Sequence, residues 1–195
     1  MATQTATVAL PAQLDDIWHQ LRAASDHARE VAGGLAPARL ARRPAFNSWS
    51  VAECIAHLTL TTDAFLPLLR GALDKARSSG PFAEGPFRTD LFGRLLIWFI
   101  EPPARTRVST QPAFVPVVTD RPERALDDFL DRQIRLQRLL PTAVGLALDR
   151  IRITSPFERR VGYSVISALL VIPAHQRRHL WQAERARRAI EEAAS

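Results

Sequence analysis

The sequence predicts an all-α fold, a four-helix bundle formed by a single domain over residues 1–195. Four long stretches repeat apolar residues every three or four positions, which is the spacing of one face of an α-helix. The segments 115–118 and 151–153 resemble strands but are too short to build a sheet. A length of 195 residues with 47% hydrophobic residues is enough for one sizeable core. These observations favour four long helices and a proline-rich crossover that carries one short extra helix.

The first helix is predicted from about residue 14 to the glycine pair Gly33 and Gly34. His19 and His27 lie off its apolar stripe or at the edge of it, so we expect both to be solvated surface residues. The stripe consists of Leu14, Ile17, Leu21, Ala24, Ala28, Val31 and Leu35.

The second helix has the best-marked start in the chain. Ser50 and Glu53 have the spacing of a capping box, and Trp49 is placed to staple onto Cys54 across the first turn. We expect this helix to cover about residues 51–77, because a Ser-Ser-Gly-Pro segment follows and stops it.

A proline-rich crossover should occupy residues 80–120. One short apolar helix is predicted at 91–100, and the Glu-Pro-Pro segment at 101–103 ends it. Residues 110–116 should form a largely extended surface connection, of the kind that often acts as a lid. The buried side of the short helix is predicted to carry Phe92, Leu95, Leu96 and Phe99.

The third long helix is predicted to start at Asp120, with Pro122 in its first turn and Glu123 three residues after Asp120. Pro141 bends or ends it. Its apolar stripe consists of Leu126, Phe129, Leu130, Ile134, Leu139 and Leu140.

The last helix should begin near Tyr163, after a turn at 155–157, and continue to about Glu192. Pro173 lacks a backbone N–H and should kink the helix just before His175.

Two histidines in this last helix, His175 and His179, are four residues apart and therefore project from nearly the same face. They can offer two imidazoles to one metal ion, and a third histidine from another helix would complete a three-nitrogen site. His57, two turns into the second helix beside the inward positions Cys54 and Thr61, is the candidate. The alternative is that His57 is an ordinary core histidine. Without the Glu of H-E-x-x-H, the pair is not a zinc-protease signature.

The net charge of +6 comes mostly from arginines, many of them late in the chain. No nucleic-acid motif accompanies them, so we expect a solvated face or the rim of a pocket for an anionic small molecule, and no specific nucleic-acid partner. These residues are Arg159, Arg160, Arg177, Arg178, Arg185, Arg187 and Arg188.

Composition also bears on the compartment. The single cysteine excludes an internal disulfide and fits a reducing environment. No apolar stretch reaches the roughly 20 residues of a membrane span, and the N-terminal residues lack the features of a signal peptide. We therefore expect a cytoplasmic protein with no membrane association.

With these motifs in place, the chain resembles the DinB-like superfamily of metal-binding four-helix bundles. The resemblance rests on the Trp49-Ser50 entry into Glu53 and His57-Leu58, and on the segment HQRRHLWQ at 175–182. It covers essentially the whole chain, including the crossover between the second and third long helices.

The resemblance implies a bundle with crossed helix order, a divalent ion such as zinc or nickel, and homodimerisation. The implied metal ligands are His57, His175 and His179. Gln182, one turn further along the same face, would hold a metal-bound water or the substrate. Characterised relatives include thiol S-transferases that use bacillithiol or mycothiol, among them a maleylpyruvate isomerase. A low-molecular-weight thiol is therefore expected as co-substrate, with a small molecule as acceptor.

The expected mechanism is attack by a metal-activated thiolate, with Arg178 at the pocket edge attracting an anionic group. Arg178 and Gln182 are thus the catalytic candidates. Glu53 or Asp63 could approach as a general base, and Cys54 could reach the ion as a fourth ligand. The alternative functions are a metal-dependent hydrolase using the same site, and a non-catalytic metal- or small-molecule-binding stress-response protein.

Overall fold

The computed structural model describes residues 9–103, 109–117 and 121–193. Four long helices form a bundle, as the sequence predicts: α1 (Ala12–Ala32), α3 (Val51–Ser79), α5 (Arg124–Leu139) and α6 (Val165–Glu192). Helices α1 and α3 each pack against both α5 and α6, and contact each other far less. The two long helices that come first in the chain therefore face each other across the bundle.

The smaller elements join these helices. A one-turn helix α2 (Pro37–Leu40) follows α1, and α4 (Leu91–Ile100) lies in the crossover with the bounds expected from the sequence. Single 3-10 turns cover Pro112–Phe114 and Leu140–Ala143, and two short strands, β1 (Arg152–Thr154) and β2 (Gly162–Ser164), precede α6. No helix in the described ranges has both the length and the apolar character needed to cross a membrane.

The expected capping box fixes the start of α3. The Ser50 hydroxyl accepts a hydrogen bond from the Glu53 backbone N–H at 3.2 Å, and a Glu53 carboxylate oxygen accepts one from the Ser50 N–H at 2.8 Å. Two N–H groups that the first helical turn cannot satisfy are thereby paired. This cap sets the rotation of α3 and with it the direction of His57, seven residues after Ser50.

A polar layer divides the apolar core into two clusters. On α3, α5 and α6, the residues of one cluster are separated in sequence from those of the other by buried or half-buried polar side chains. The Gln133 and Gln176 side chains hydrogen-bond to each other across this layer, and Gln133 also donates to the Leu21 carbonyl. The other polar members are Ser25, His57, Thr61, Thr62, His175 and His179.

The predicted apolar stripe of α5 was wrong at Ile134. Ile134, expected to face the core, is 47% exposed, whereas Gln133 is 1% exposed. Apolar periodicity places Ile134 in the core because it takes account of apolar residues only. Gln133 is buried instead because its side-chain amide has buried hydrogen-bond partners.

The prediction that no strands form was wrong for residues 151–153. Strands β1 and β2 pair antiparallel, with Ile153 opposite Tyr163. Both of these side chains are buried, so tertiary packing stabilises a hairpin that would be too short on its own. Consequently α6 begins at Val165, two residues later than predicted, and Ser164 caps it by accepting from the Ser167 N–H.

The start of α5 also differs. The helix begins at Arg124, and Glu123 has helical backbone angles without a side-chain cap. Asp120, the predicted cap, lies outside the described residues.

Helix α4 is rotated relative to the prediction. Phe92 and Leu95, expected to be buried, are 42% and 59% exposed, while Gly93 and Ile100 are buried. The reason is the close approach of α4 to α6 at Gly93, where an added Cβ would lie 2.6 Å from the Ser167 Cβ.

This approach gives a test with a matched control. Gly93→Ala should lower the free energy of unfolding by about 1–3 kcal/mol, because α4 must move away from the buried Ser167. Gly71→Ala, in the interior of α3 with nothing within 4 Å of its added Cβ, should instead raise it by about 0.5–1 kcal/mol. Denaturant unfolding measures both changes. If Gly93→Ala has the same free energy of unfolding as the unsubstituted protein, the close packing of α4 on α6 is refuted.

Candidate metal centre

His57 is held on α3 with only 4% of its surface exposed. Its Nδ1 lies 2.8 Å from the backbone carbonyl oxygen of Phe114. A carbonyl oxygen only accepts, so Nδ1 donates the proton and Nε2 carries the lone pair. The neutral ring is therefore fixed in the tautomer in which Nε2 can bind a metal ion.

His179 on α6 is fixed in a similar way. Its Nδ1 lies 3.1 Å from Oε1 of Gln182, one turn later on the same helix. Because this amide oxygen accepts, Nδ1 is again the donor and Nε2 carries the lone pair. Metal-binding histidines usually have such a partner on the second ring nitrogen, which orients the ring.

His175 completes the cluster. Its Nε2 is 3.4 Å from Nε2 of His57, and the three histidines offer nitrogen atoms that all lie within 4.8 Å of one another. Two nitrogens bound tetrahedrally at about 2.0–2.1 Å from one ion would be roughly 3.3 Å apart. The spacing of the donors therefore suits a shared ion, and the structure brings together the three histidines that the sequence singled out.

Burial keeps the three imidazoles neutral. Burial lowers the pKa of His57 and outweighs the opposing effect of the Phe114 carbonyl. Burial, followed by the nearby His57 and Arg178, lowers the pKa of His175 to about 3. The pKa of His179 is lowered well below its usual value for the same main reason. Lone pairs are thus available to a metal ion near neutral pH.

Aromatic rings surround the cluster. The Trp49 ring is 4.9 Å from His57 and 5.7 Å from His179, centroid to centroid. On the other side, Phe157 is 6.2 Å from His175 and packs edge-on against Phe114 at 4.8 Å. Trp49 also packs against the core cluster that contains Cys54; its contacts with the histidine rings were not predicted.

Phe114 is the functional residue that sequence reasoning missed. The segment 110–116 was expected to be extended and on the surface, but it contains the 3-10 turn Pro112–Phe114, and Phe114 is only 9% exposed. It contributes a backbone carbonyl, which any residue possesses, so no side-chain pattern could have identified it. The proline at position 112, in the first turn of the 3-10 segment, was the one local signal of a turn.

The cluster lies in the wall of a large cleft with a volume of about 1200 Å³. Arg178 and Gln182, the two catalytic candidates, also line it. No Asp or Glu occurs among the lining residues of the described chain. The remaining lining residues are Pro44, Ala45, Asn47, Ser48, Trp49, Leu96, Phe99, Ile100, Ser109, Thr110, Gln111, Phe114, Val115, Phe157, Val171, Trp181, Arg185, Ala186 and Ala189.

The two carboxylates considered as general bases are used elsewhere. Glu53 forms the capping box and an ion pair with Arg43, and Asp63 binds Arg132 at 3.0 Å. Neither lines the cleft. Arg177, next to Arg178, turns away to pair with Glu101.

Cys54 does not belong to the histidine cluster. Its side chain is fully buried in the apolar core, and burial raises the pKa of its thiol. It is thus a small core residue and not a fourth ligand. His19 and His27 stay near the surface beside Asp15 and Glu184, at 3.6 and 3.9 Å, as expected.

Comparison with known proteins identifies the family. No curated protein and no solved structure matches the chain. A family model described as the DinB superfamily matches residues 20–183, a range that includes all three histidines and both cleft-lining residues Arg178 and Gln182. The crossed four-helix bundle agrees with this match, and the chain belongs to the DinB superfamily.

Proposed function

We propose that the protein is a divalent-metal-dependent enzyme that transfers a low-molecular-weight thiol to a small electrophilic acceptor. His57, His175 and His179 would hold the ion, with zinc or nickel as the expected metals. The observation that supports this most strongly is the pair of fixed tautomers, which leaves the Nε2 lone pairs of His57 and His179 for a common partner.

The ligand set favours a catalytic over a structural ion. Structural zinc sites are usually closed by four protein ligands, whereas catalytic sites keep an open position. Three histidines form the cluster within the described residues, and the cleft adjoins them. A bound divalent ion supplies a Lewis acid that lowers the pKa of a coordinated thiol or water.

The surrounding residues have separate tasks. Gln182 holds the His179 ring by accepting from its Nδ1, so we assign it a positioning role as well as a contact with substrate. Arg178 lines the cleft and attracts an anionic group of either substrate. In the transfer, the thiol loses its proton to solvent, its sulfur bonds to an electrophilic carbon, and the leaving group departs with the electron pair of its bond.

The cleft contains no carboxylate among its described lining residues, which favours activation by the ion over acid–base catalysis by a side chain. The same open centre supports hydrolysis if water replaces the thiol, so a metal-dependent hydrolase is the second candidate. A non-catalytic binding protein of the stress response is the third, and it predicts metal binding without turnover.

We also propose that the protein acts in the cytoplasm as a homodimer. The apolar side chains that α4 leaves exposed, Leu91 at 80%, Leu95 at 59% and Trp98 at 56%, would gain from being covered by a second copy. Light scattering on the purified protein tests this; a monomer at all concentrations would contradict it.

The activity is tested by comparing metal-loaded with metal-free protein. Bacillithiol, mycothiol, glutathione and simple thiols are each offered with a panel of electrophilic acceptors, and product formation is followed by mass spectrometry. We expect at least one thiol to be transferred faster by the metal-loaded protein. Equal rates for both forms with every pair would overturn the transferase, and release of hydrolysis products would select the hydrolase instead.

A further inference from the structure

The cleft extends along α6 in both directions from the histidine cluster. At a rise of 1.5 Å per residue, Val171 lies about 9 Å before the midpoint of His175 and His179, and Arg185 lies about 12 Å after it. Both residues line the cleft. A ligand bound on one side of the cluster therefore meets different residues from a ligand bound on the other.

The side of Val171 is mainly apolar, although the Gln111 side chain, which donates to the Phe157 carbonyl, also lies there. Helix α4 contributes aliphatic and aromatic side chains to this wall, and Phe157 brings its ring to 6.2 Å from His175. The wall reaches the cluster directly, so an apolar group bound there would have its end at the candidate metal centre. We call this part the apolar compartment: Leu96, Phe99, Ile100, Phe157 and Val171.

The side of Arg185 is distinguished by its positive charge, although Trp181, Ala186 and Ala189 of the same helix also line it. The Arg185 guanidinium carbon lies 4.9 Å from the centroid of the Trp181 ring, a cation–π contact that holds the charge at the cleft wall. Because no carboxylate lines the described cleft, its arginines give it a positive potential. We call this part the basic compartment: Asn47, Ser48, Gln182 and Arg185, with Arg178 level with the histidines, between the two compartments.

We propose that the two substrates lie on opposite sides of the histidines, with an acceptor carrying an aromatic or alkyl body in the apolar compartment and a carboxylate-bearing thiol in the basic compartment. This inference rests on the proposed function and defines its substrate classes. A carboxylate on the thiol matches the positive charge that Arg185 presents at the cleft wall. The reverse arrangement would place an apolar body beside the Arg185 guanidinium and a carboxylate against apolar side chains, so both charges would be desolvated without gain.

The apolar compartment is tested with unreactive neutral probes. Calorimetry measures binding of 3-phenylpropan-1-ol and propan-1-ol to the full-length metal-loaded protein. Leu96→Ala should weaken binding of the phenyl compound about three- to tenfold, because buried apolar contact is lost. Leu60→Ala is the control, since Leu60 is 36% exposed on α3 and outside the cleft lining. Equal affinities of the two variants would overturn this half of the inference.

The basic compartment is tested with two thiols that differ in charge, mercaptosuccinate and 2-mercaptoethanol. Arg185→Ala should weaken mercaptosuccinate about three- to tenfold, an effect limited by the exposure of Arg185, and leave 2-mercaptoethanol unchanged. Arg188→Ala, whose side chain is 65% exposed and pairs with Glu184, is the control. Equal losses for both thiols would contradict the assignment, as would a larger effect of Leu96→Ala than of Arg185→Ala on mercaptosuccinate.

These binding measurements separate the two proposals. Neither probe set requires turnover, and circular dichroism with metal analysis checks that each variant is folded and loaded. If the protein transfers no thiol but the variants show the expected differences in binding, the two compartments are supported and the proposed transferase activity is wrong. If metal-dependent transfer occurs without the selectivities, the inference about substrate classes fails alone.

Discussion

Replacing His179 with alanine should lower the affinity for the divalent ion by more than about 100-fold, because losing a ligand costs more than the roughly 10- to 100-fold effect of losing a partner that only orients one. His179 belongs to the three-nitrogen cluster, and its Nε2 lone pair is left available by the contact between Nδ1 and Gln182. The measurement is a competition titration with a metal chelator, supported by elemental analysis of the purified protein.

The matched control for this experiment is His19→Ala. His19 is exposed on α1, beside Asp15, and takes no part in the cluster. Its replacement should leave the metal content unchanged, which separates loss of a ligand from loss of any histidine. If the two variants retain the same metal content, the three-histidine centre is disproved; circular dichroism confirms that both are folded.

A weaker effect should follow from Gln182→Ala. The His179 ring loses the acceptor that fixes its tautomer, but all three ligands remain. We expect the metal affinity to fall by about 10- to 100-fold, less than in His179→Ala. Titration of the two variants under the same conditions shows which of them loses more metal affinity. An unchanged metal affinity in Gln182→Ala would disprove the positioning role of Gln182.

The candidate centre could be predicted from the sequence because its ligands obey local rules. The four-residue spacing of His175 and His179 fixes their common face, and the capping box at Ser50 fixes the helix that presents His57. Both signals depend on residues close together in the chain. His57 completes the cluster because it lies on the buried face of α3.

Contacts between residues that are distant in the chain could not be predicted from the sequence. The Phe114 carbonyl reaches His57 across 57 positions, and the rotation of α4 depends on a close approach between Gly93 and Ser167. Apolar periodicity assigned Phe92 to the core because it cannot register that a glycine faces the neighbouring helix. These contacts shape the cleft, so the substrate side of the site became visible only with the fold.

Replacing Arg178 with alanine should slow the proposed transfer about 10- to 100-fold when a reactant is anionic, since a charge-assisted hydrogen bond contributes roughly 1.5–3 kcal/mol. Arg178 is well placed for this contact because it lines the cleft beside His179, while the neighbouring Arg177 is bound to Glu101. Partial burial lowers the pKa of Arg178, but the group starts from so high a value that it remains a cation at neutral pH. Its charge therefore acts in a partly desolvated cleft, where it is screened less than at the surface.

The decisive comparison is between pairs of thiols that differ only in charge, such as a thiol that carries a carboxylate and the corresponding amide, measured as kcat/KM with metal-loaded protein. Arg178→Ala should affect the carboxylate and spare the amide, and Arg188→Ala, which is outside the cleft, should affect neither. Equal losses for the two thiols would mean that Arg178 supports the fold or the metal centre and does not bind the anion. The metal content of the variant then distinguishes a role in the fold from a role in the metal centre. A damaged metal centre would lose its ion as well as its rate, whereas an unchanged metal content would point to the fold.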